Sequence, residues 1–313
     1  MTQTRLPVVG SSAATTVFCS ALLPGPGGFT ACFDGNGKIT ASNGTLHEPK
    51  PNAFSLPSQG CTDRELIDNP EFGGSYEDIE KTDCPGATDT CRKSCYVENL
   101  KKAQPDLYSL YEQNAKLIRA IVDNVVLGGF WAAIVAKWIT ENAAGGFRWH
   151  VSGDVTSMKH AEWIAEVCRQ SPTVRHWIYT RSFEFLEPLV KVSTMRGGNL
   201  ALNLSCDKDN YVQAWTIARC WNNANGMAGT RENPTTLRLC YLTTDGKIPD
   251  QLPLRADDVI FPDYALRPRQ FATLAESPWW QSITPFQRGL VCPVDAHGKD
   301  EKRRCGPCDR CMK

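Results

Sequence analysis

The central part of the chain is defined by apolar residues that recur with the period of a helix. Pro105 suits the first turn of a helix, and the apolar positions that follow it every three or four residues predict a helix that runs to about Val125. A second apolar pattern predicts another helix from Phe130 to about Glu141. Two successive helices are therefore expected before the alternating region that begins at Arg148.

From Arg148 onward, short apolar runs alternate with helical patterns. Strands are predicted at residues 149–151, 174–179, 200–204, 237–242 and 259–261, and helices at residues 157–170, 183–195 and 211–221. Strands that alternate with helices in this way form right-handed βαβ units and a parallel sheet. The pattern thus predicts an α/β fold with a partial (β/α) barrel.

The first sixty residues differ from this pattern, since they are rich in Gly, Pro, Ser and Thr. Short strands are predicted at residues 15–19, 29–33, 38–42 and 53–56, with a hairpin turn at residues 34–37. We therefore expect a β-rich N-terminal extension at residues 1–60. A partial barrel with a cysteine loop at 83–97 is expected at residues 61–290, and a cysteine-rich tail at residues 291–313.

Composition changes this picture little. The 34 Lys and Arg residues balance the 34 Asp and Glu residues, so the chain has no net positive charge of the kind that attracts nucleic acid. A basic patch on part of the surface is still compatible with this composition. No secretory signal is recognisable at the N-terminus, and the apolar run at 125–139 is too short to span a bilayer. A cytoplasmic protein with no membrane partner is expected.

Polar groups follow three successive predicted strands at the point where each strand ends: Ser152 and Asp154, Arg181 and Ser182, Cys206 and Asp207. In barrels and open α/β sheets, ligands bind at the carboxyl ends of the strands. The alternative is that these residues only cap the following helices, because Ser and Asp are favoured N-cap residues. Strand parity further places His150 on the same side as Ser152 and Asp154.

Seven of the fourteen cysteines fall in two tight groups. The first group is Cys84, Cys91 and Cys95, with the spacing C-x6-C-x3-C. Three thiolates on one short loop can hold three corners of an iron–sulfur cluster and leave one iron open for a ligand. The alternatives are a zinc site completed by a fourth residue, for which C-x3-C but not the longer gap is suitable, or disulfides.

The second cysteine group closes the chain and consists of Cys292, Cys305, Cys308 and Cys311. Four thiolates suffice for zinc or for a second [4Fe–4S] cluster. A closed site of this kind would be structural and would pin the C-terminus to the barrel. Alternatively, one of these cysteines completes the first cluster.

Several segments together carry a resemblance to a known family. They are F-S-L-P at 54–57, C-P-G-A-T-x-x-C-x-x-x-C-Y at 84–96, H-V-S-G-D at 150–154, W-I-Y-T-R at 177–181 and the terminal cysteines. They resemble a family of cysteine-rich proteins encoded by actinobacterial and other bacteriophages. This resemblance implies no particular activity.

At a greater distance, the layout resembles radical S-adenosylmethionine (SAM) enzymes, which are partial (β/α) barrels with three cluster cysteines on a loop after the first strand. The resemblance implies that Ser152, Gly153 and Asp154 stand where those enzymes hold SAM, with Asp154 accepting from its ammonium group. The cysteine spacing departs from the usual C-x3-C-x2-C, since no cysteine follows Cys95 at the expected distance.

The leading expectation is a [4Fe–4S] protein of the host cytoplasm that performs radical-SAM-like chemistry on an unknown substrate, with nucleic acid or a nucleotide as one option. The catalytic candidates are Asp154, His150 and Arg181: an ammonium acceptor, a proton donor or ligand, and a guanidinium that can grip a carboxylate or phosphate. Equally, His150 could be a core histidine and Arg181 could pair with a neighbouring acidic residue. The alternatives are a non-catalytic iron–sulfur protein for electron transfer or sensing, and a zinc-stabilised binding module.

Overall fold

The computed structural model describes residues 20–35, 51–58, 83–95, 97, 101–102, 104–194, 198–224, 237–250, 253–263, 266 and 273–297. Its strands are β1 (Ser20–Pro24), β2 (Thr30–Asp34), β3 (Ala53–Phe54), β4 (Phe147–Trp149), β5 (His176–Thr180), β6 (Leu200–Cys206), β7 (Arg238–Thr243) and β8 (Val259–Pro262). Its α-helices are α1 (Asp89–Lys93), α2 (Pro105–Val122), α3 (Val125–Asn142), α4 (Met158–Gln170), α5 (Leu186–Thr194), α6 (Tyr211–Ala224), α7 (Pro278–Ser282), α8 (Pro285–Leu290) and α9 (Pro293–His297).

These eight strands form one sheet in which each strand pairs with its neighbours in sequence. β2 pairs antiparallel with β1 and with β3. Every pairing from β3 to β8 is parallel. The predicted α/β class with a mostly parallel sheet is therefore confirmed, and this sequential strand order is the order found in (β/α) barrels. The strands of the N-terminal extension join the same sheet.

An aromatic layer packs the sheet against α3 and α4. Phe33 of β2 stacks on Trp138 of α3, with ring centroids 3.8 Å apart. Trp149 of β4 meets Trp163 of α4 edge to face, with centroids 5.8 Å apart. Large buried rings of this kind dominate core energetics and pack with specific geometry. The end of β4, where the predicted site begins, is thus held by packing on α4.

A buried polar network attaches α2 to the first strands. The Asn114 amide of α2 accepts from the backbone N–H of Cys32 (2.7 Å) and donates to the carbonyls of Cys32 (2.7 Å) and Ser55 (2.9 Å). The Asp34 carboxylate accepts from the hydroxyls of Tyr111 and Ser55, each at 3.0 Å. Fully bonded networks of this kind fix one arrangement of the elements that they join.

The predicted elements lie close to the observed ones. The helix predicted from Pro105 ends at Val122 instead of about Val125, and the next helix begins at Val125, because the Asn124 side chain caps it by accepting from Leu127 N. The first predicted strand of the alternating region is shifted, since β4 ends at Trp149. β1 was not predicted. The strands predicted at 15–19 and 38–42 lie outside the described residues.

Within the described part of the chain, no helix combines the length and the apolar character that a membrane crossing requires. The run at 125–139 belongs to α3, which packs against α4.

Three histidines are buried in this core: His150, His160 and His176. Burial lowers the pKa of His160 and of His176 to about 3, and it lowers the pKa of His150 well below its ordinary value. All three rings are therefore neutral near pH 7. As the pH falls below about 6.5, the unfolded chain takes up protons on these residues that the native protein does not, so protonation favours unfolding.

We expect the free energy of unfolding to fall between pH 7 and pH 5, with His176→Gln flattening that dependence. Removing one buried histidine should remove about 1.4 kcal/mol of the loss per pH unit, once the pH is well below 6.5. Denaturant titrations at several pH values measure the difference between variant and parent. Equal slopes in the variant and the parent would contradict the prediction.

Candidate functional site

Residues 83–95 of the cysteine loop contain all three cysteines of the first group and the short helix α1. The chain turns after Cys84, whose carbonyl accepts from Ala87 N at 3.1 Å. The Thr88 hydroxyl then caps α1 by accepting from Cys91 N at 3.0 Å. A Thr three residues before Cys91 therefore places this cysteine in the first turn of α1. Cys95 lies two residues beyond the end of the helix.

The cysteine loop lies across the carboxyl ends of β4, β5 and β6. Its first residue, Asp83, accepts from Asp154 N through its carbonyl at 2.7 Å. The Thr88 hydroxyl donates to Asp207 Oδ2 at 2.5 Å. The backbone N–H of Thr90 donates to Asp209 Oδ2 at 2.9 Å. The predicted cysteine loop and the predicted polar strand ends thus meet at one edge of the sheet.

Gly86 allows this close approach. A Cβ atom on Gly86 would stand 2.1 Å from the carbonyl oxygen of Arg181 and 2.8 Å from the backbone nitrogen of Ser182. Neither backbone atom can rotate away as the end of a side chain can. Only glycine therefore fits at this position while the loop rests on the end of β5.

A buried ion pair joins the strand ends beneath the loop. Arg181 Nη1 donates to Asp207 Oδ2 at 2.6 Å, and the two side chains are 8% and 0% exposed. The same carboxylate oxygen accepts the Thr88 hydroxyl, and Asp207 Oδ1 accepts from Asp209 N at 2.9 Å. A buried charge pair is stabilising only when further hydrogen bonds satisfy it, and the loop supplies one of them.

Asp154 has a structural role at this edge. Its Oδ1 accepts from Val155 N and its Oδ2 accepts from Arg181 N, both at 2.7 Å. Burial raises the pKa of this carboxyl group above its ordinary value. A carboxylate has about four acceptor sites, so these two bonds leave acceptor capacity on both oxygens. The predicted role of Asp154 in SAM binding stays a prediction.

The electrostatics of the loop centre on Cys91, which is half-buried. Burial raises the pKa of its thiol, and the Arg181 guanidinium acts in the opposite direction while Cys95 adds to the increase. The thiol therefore keeps its proton at neutral pH until a metal displaces it, because metal ligands must be thiolates. Cys84 and Cys95 are also half-buried.

The described residues contain no group of three or more His, Cys, Asp or Glu side chains that could surround a single metal ion. The second predicted group is represented by Cys292, which is buried beside β8, where its N–H donates to Ile260 O at 3.0 Å. Cys305, Cys308 and Cys311 lie outside the described residues. The predicted C-terminal metal site therefore stays a prediction.

His150 follows β4 in an unusual conformation. Its φ of 55° is the one positive value found among the described residues other than glycine. The regular alternation of side chains along β4 therefore stops at His150, and it does not place His150, Ser152 and Asp154 on one side of the sheet. The ring packs edge to face on His160 of α4, with centroids 5.2 Å apart. Within the described chain neither ring nitrogen has a hydrogen-bond partner, and the ring is 2% exposed. Its predicted catalytic role stays a prediction.

Two of the segments that carried the family resemblance contact each other directly. Leu56 N donates to Ser152 O at 2.9 Å, and His150 N donates to Phe54 O at 2.7 Å. Gly153 has a φ of 73°, and a Cβ there would stand 2.5 Å from Leu56 Cβ. The segment at 54–57 and the segment at 150–154 thus form one interlocked corner at the carboxyl edge.

Sequence reasoning missed Asp83, Thr88 and Asp209, which fasten the loop. The only local signal was Thr88, a favoured N-cap residue ahead of a short helical stretch. The partner of Thr88 is 119 positions away in the sequence, and so is the partner of Thr90. No spacing rule reports contacts of that range.

Comparison with known proteins places the chain in a family. The family model described as "GP88: Gene product 88" matches residues 31–313. The chain belongs to the Gene product 88 family. It is 30% identical over 166 residues to the Gene 88 protein of Mycobacterium phage L5, covering 50% of this chain and 67% of the relative. It is 32% identical over 163 residues to the Gene 88 protein of Mycobacterium phage D29, with the same shares covered.

Membership of the Gene product 88 family confirms the expected relation to a phage protein family. The names of these two relatives state a gene number and no activity. No solved structure matches the chain. The family match covers the cysteine loop, the strand ends beneath it and the terminal cysteines.

Asp207→Asn should destabilise the protein by about 3–5 kcal/mol, because it leaves the Arg181 guanidinium buried without a counter-charge. Denaturant unfolding measures the loss. Asp209→Asn is the matched control, since this exposed carboxylate also contacts the loop but opposes no buried cation. A loss no larger than that of the control would show that the ion pair does not hold the edge together.

Gly86→Ala should lift the cysteine loop, because its Cβ would overlap the Arg181 carbonyl. We expect Cys91 to react faster with a thiol reagent such as DTNB, because its half-buried thiol would become more exposed when the loop moves away from the strand ends. Gly129→Ala is the control: a Cβ there meets no atom within 4 Å. Unchanged thiol reactivity in the Gly86 variant would show that the loop does not depend on close contact between Gly86 and the backbone of Arg181.

Proposed function

We propose that this chain is an iron–sulfur protein that holds a [4Fe–4S] cluster by Cys84, Cys91 and Cys95 and performs radical-SAM-like chemistry. The observation that carries the proposal is the position of the cysteine loop, which a buried network fastens to the carboxyl ends of three parallel strands. In α/β folds this edge is where ligands bind. Three thiolates leave one iron free for a ligand there.

The donor set is suited to a cluster. Each cysteine of a [4Fe–4S] cluster binds a different iron, so the three sulfurs need not converge on one point as they would around a single ion. This is compatible with the lack of a single-ion site in the described part of the chain. The soft thiolate donors and the absence of carboxylates from the predicted ligand set favour iron–sulfur chemistry over hard cations.

The chain's own residues would serve the cluster in stated ways. Arg181 lies close enough to Cys91 to favour its thiolate. The cap at Thr88 fixes the orientation of Cys91. When bound, the cluster would supply one-electron reduction of a ligand at its open iron.

Arg92 and Lys93 have exposed side chains on α1 and lie between Cys91 and Cys95 in the sequence. They support an anionic substrate, with nucleic acid or a nucleotide as one class, because cations beside a site attract phosphate groups. A host-cytoplasmic location belongs to the same proposal, since reducing surroundings keep such thiols available for metal.

One observation favours a second candidate function, a non-catalytic iron–sulfur protein for electron transfer or sensing. Asp154, which would hold the SAM ammonium in the catalytic case, is buried, and burial raises the pKa of its carboxyl group and so disfavours the charged form that an ammonium group needs. In the non-catalytic case the protein itself would cap the open iron. SAM binding therefore separates the two functions.

Anaerobically purified protein should contain iron and acid-labile sulfide and should show the broad visible absorbance of a cluster. Cys84→Ser, Cys91→Ser and Cys95→Ser should each lose the iron that is bound by the cysteine loop. Exposed Cys220, changed to Ser, is the control and should keep it. A parent protein that binds only zinc, or no metal at all, would refute the proposal. Metal that survives all three loop substitutions would place the site elsewhere.

The catalytic form of the proposal has its own measurement. The reduced protein, mixed with SAM under anaerobic conditions, should yield 5′-deoxyadenosine, and the Cys91→Ser variant should not. If the cluster is present but SAM is neither bound nor cleaved, the electron-transfer or sensing function replaces the enzymatic one.

A further inference from the structure

The sheet has a second face, opposite to the one that packs on α3 and α4. Trp149, which meets α4, lies on the packed face, and the strand register pairs it with Ile178 of β5. Successive side chains of a strand alternate between the two faces. The residues that precede these two, Arg148 and Trp177, therefore lie on the second face, here called the inner face, where they are register partners.

The inner face is accessible at the carboxyl edge of the sheet and closed farther down. Its last residue on each strand from β4 to β8 is half-buried, and these residues are Arg148, Tyr179, Ser205, Leu242 and Phe261. The residues two positions earlier on β5 to β8 are buried, and these are Trp177, Asn203, Cys240 and Val259. Because the change occurs toward the carboxyl end of all four strands, the inner face can be reached from the edge across which the cysteine loop lies.

The charge of Arg148 on this face has no counter-charge bound to it. Other arginines of low exposure bind carboxylates, as Arg181 does with Asp207 and Arg219 does with Asp258. Within the described part of the chain Arg148 makes no ion pair, and its Nε is buried without a hydrogen-bond partner. Partial removal of a cation from water costs free energy unless an anion or hydrogen-bond acceptors compensate it.

An acid on the same face does not supply that anion. Asp34 pairs in register with Ala53, which pairs in register with Arg148. The Asp34 carboxyl group instead accepts from the hydroxyls of Tyr111 and Ser55. Burial raises the pKa of Asp34 against a smaller opposing effect of Arg148, so its charged form is disfavoured. The guanidinium of Arg148 is therefore available to an anion from outside.

The surroundings of Arg148 suit an anion that has an aromatic or other apolar body. Its guanidinium lies over the Tyr179 ring, 4.9 Å from the centroid, and Phe261 meets Tyr179 edge to face at 5.9 Å. A guanidinium on an aromatic face keeps its planar N–H donors available for an oxyanion. Half-buried Ser205 adds a hydroxyl, and buried Arg238 adds a second positive charge deeper on this face. Ligand sites combine apolar walls with a few polar groups in this way.

We propose that the inner face binds an organic anion, whose carboxylate or phosphate group is held by Arg148 and whose apolar body rests on Tyr179 and Phe261. The inference deepens the proposed function by locating an anionic substrate, and it rests on that function for the reaction alone, because binding can be measured without a cluster. The ligand enters from the carboxyl edge of the sheet, on which the cysteine loop also lies.

The test is calorimetric binding to the full-length protein with three probes: adenosine monophosphate, benzoate and neutral adenosine. At least one of the two anions should bind, and the comparison between them separates a phosphate ligand from a carboxylate ligand. Arg148→Gln should weaken that binding about 10- to 100-fold, as expected when hydrogen bonds to a charged group are lost. Arg148→Lys, which keeps the charge without the planar fork, should weaken it less.

The matched control is Arg255→Gln, which should keep the affinity of the parent. Arg255 is also half-buried, but it precedes β8 and so lies toward the amino end of that strand. An equal loss in the Arg255 and Arg148 variants would overturn the inference. Binding of neither anion, or binding of adenosine as tight as that of adenosine monophosphate, would overturn it as well.

A second measurement needs no variant. Phenylglyoxal modifies accessible guanidinium groups, and mass spectrometry of the digested protein reports the extent at each arginine. The bound anion should protect Arg148 and leave Arg255 as reactive as before, whereas equal modification of Arg148 with and without the anion would overturn the inference. Iron and sulfide analysis of the same samples separates the two claims. A cluster without anion binding overturns this inference alone, and anion binding without a cluster overturns the proposed function alone.

Discussion

The arrangement of the site depends on one buried ion pair, Arg181 with Asp207. Arg181 follows β5 and Asp207 follows β6, so the pair ties two neighbouring strand ends together. The backbone N–H of Arg181 also bonds Asp154 after β4. Removing either charge would leave the other uncompensated in a dry environment, which costs far more than the net value of the pair. The pair therefore specifies geometry more than it adds stability.

The same pair explains why the cysteine loop lies where it does. A carboxylate that is buried against one guanidinium still has lone pairs to satisfy, and Asp207 uses one of them for the Thr88 hydroxyl. Thr88 in turn holds the N-terminus of α1 by accepting from Cys91 N. A continuous chain of bonds thus runs from the sheet to a cysteine. Gly86 keeps the distance short enough for that chain to form.

The features of the fold and the site that the sequence predicts are those that depend on residues close together in the chain. Helical and strand periodicity are local, so the alternation of strands and helices was recoverable with boundaries shifted by a few residues. The conformation of His150 was not, because a positive φ at a residue other than glycine leaves no trace in the alternation of the strand. The role of Asp154 was not either, since its partner Arg181 is 27 positions away. Polar residues at strand ends were predicted, but not which of them the protein itself would use.

Whether a polar residue at a strand end is bonded within the protein decides whether it can bind a ligand at the carboxyl edge of the sheet. Asp154 and Arg181 look like ligand-binding groups in the sequence, yet their bonds inside the protein make them supports for the loop above. The charged residues of this edge therefore hold the cysteine loop in place, and in the proposed iron–sulfur function the ligands would come from the loop itself. The chemistry of the edge is thus better inferred from what the strand ends support than from their charges alone.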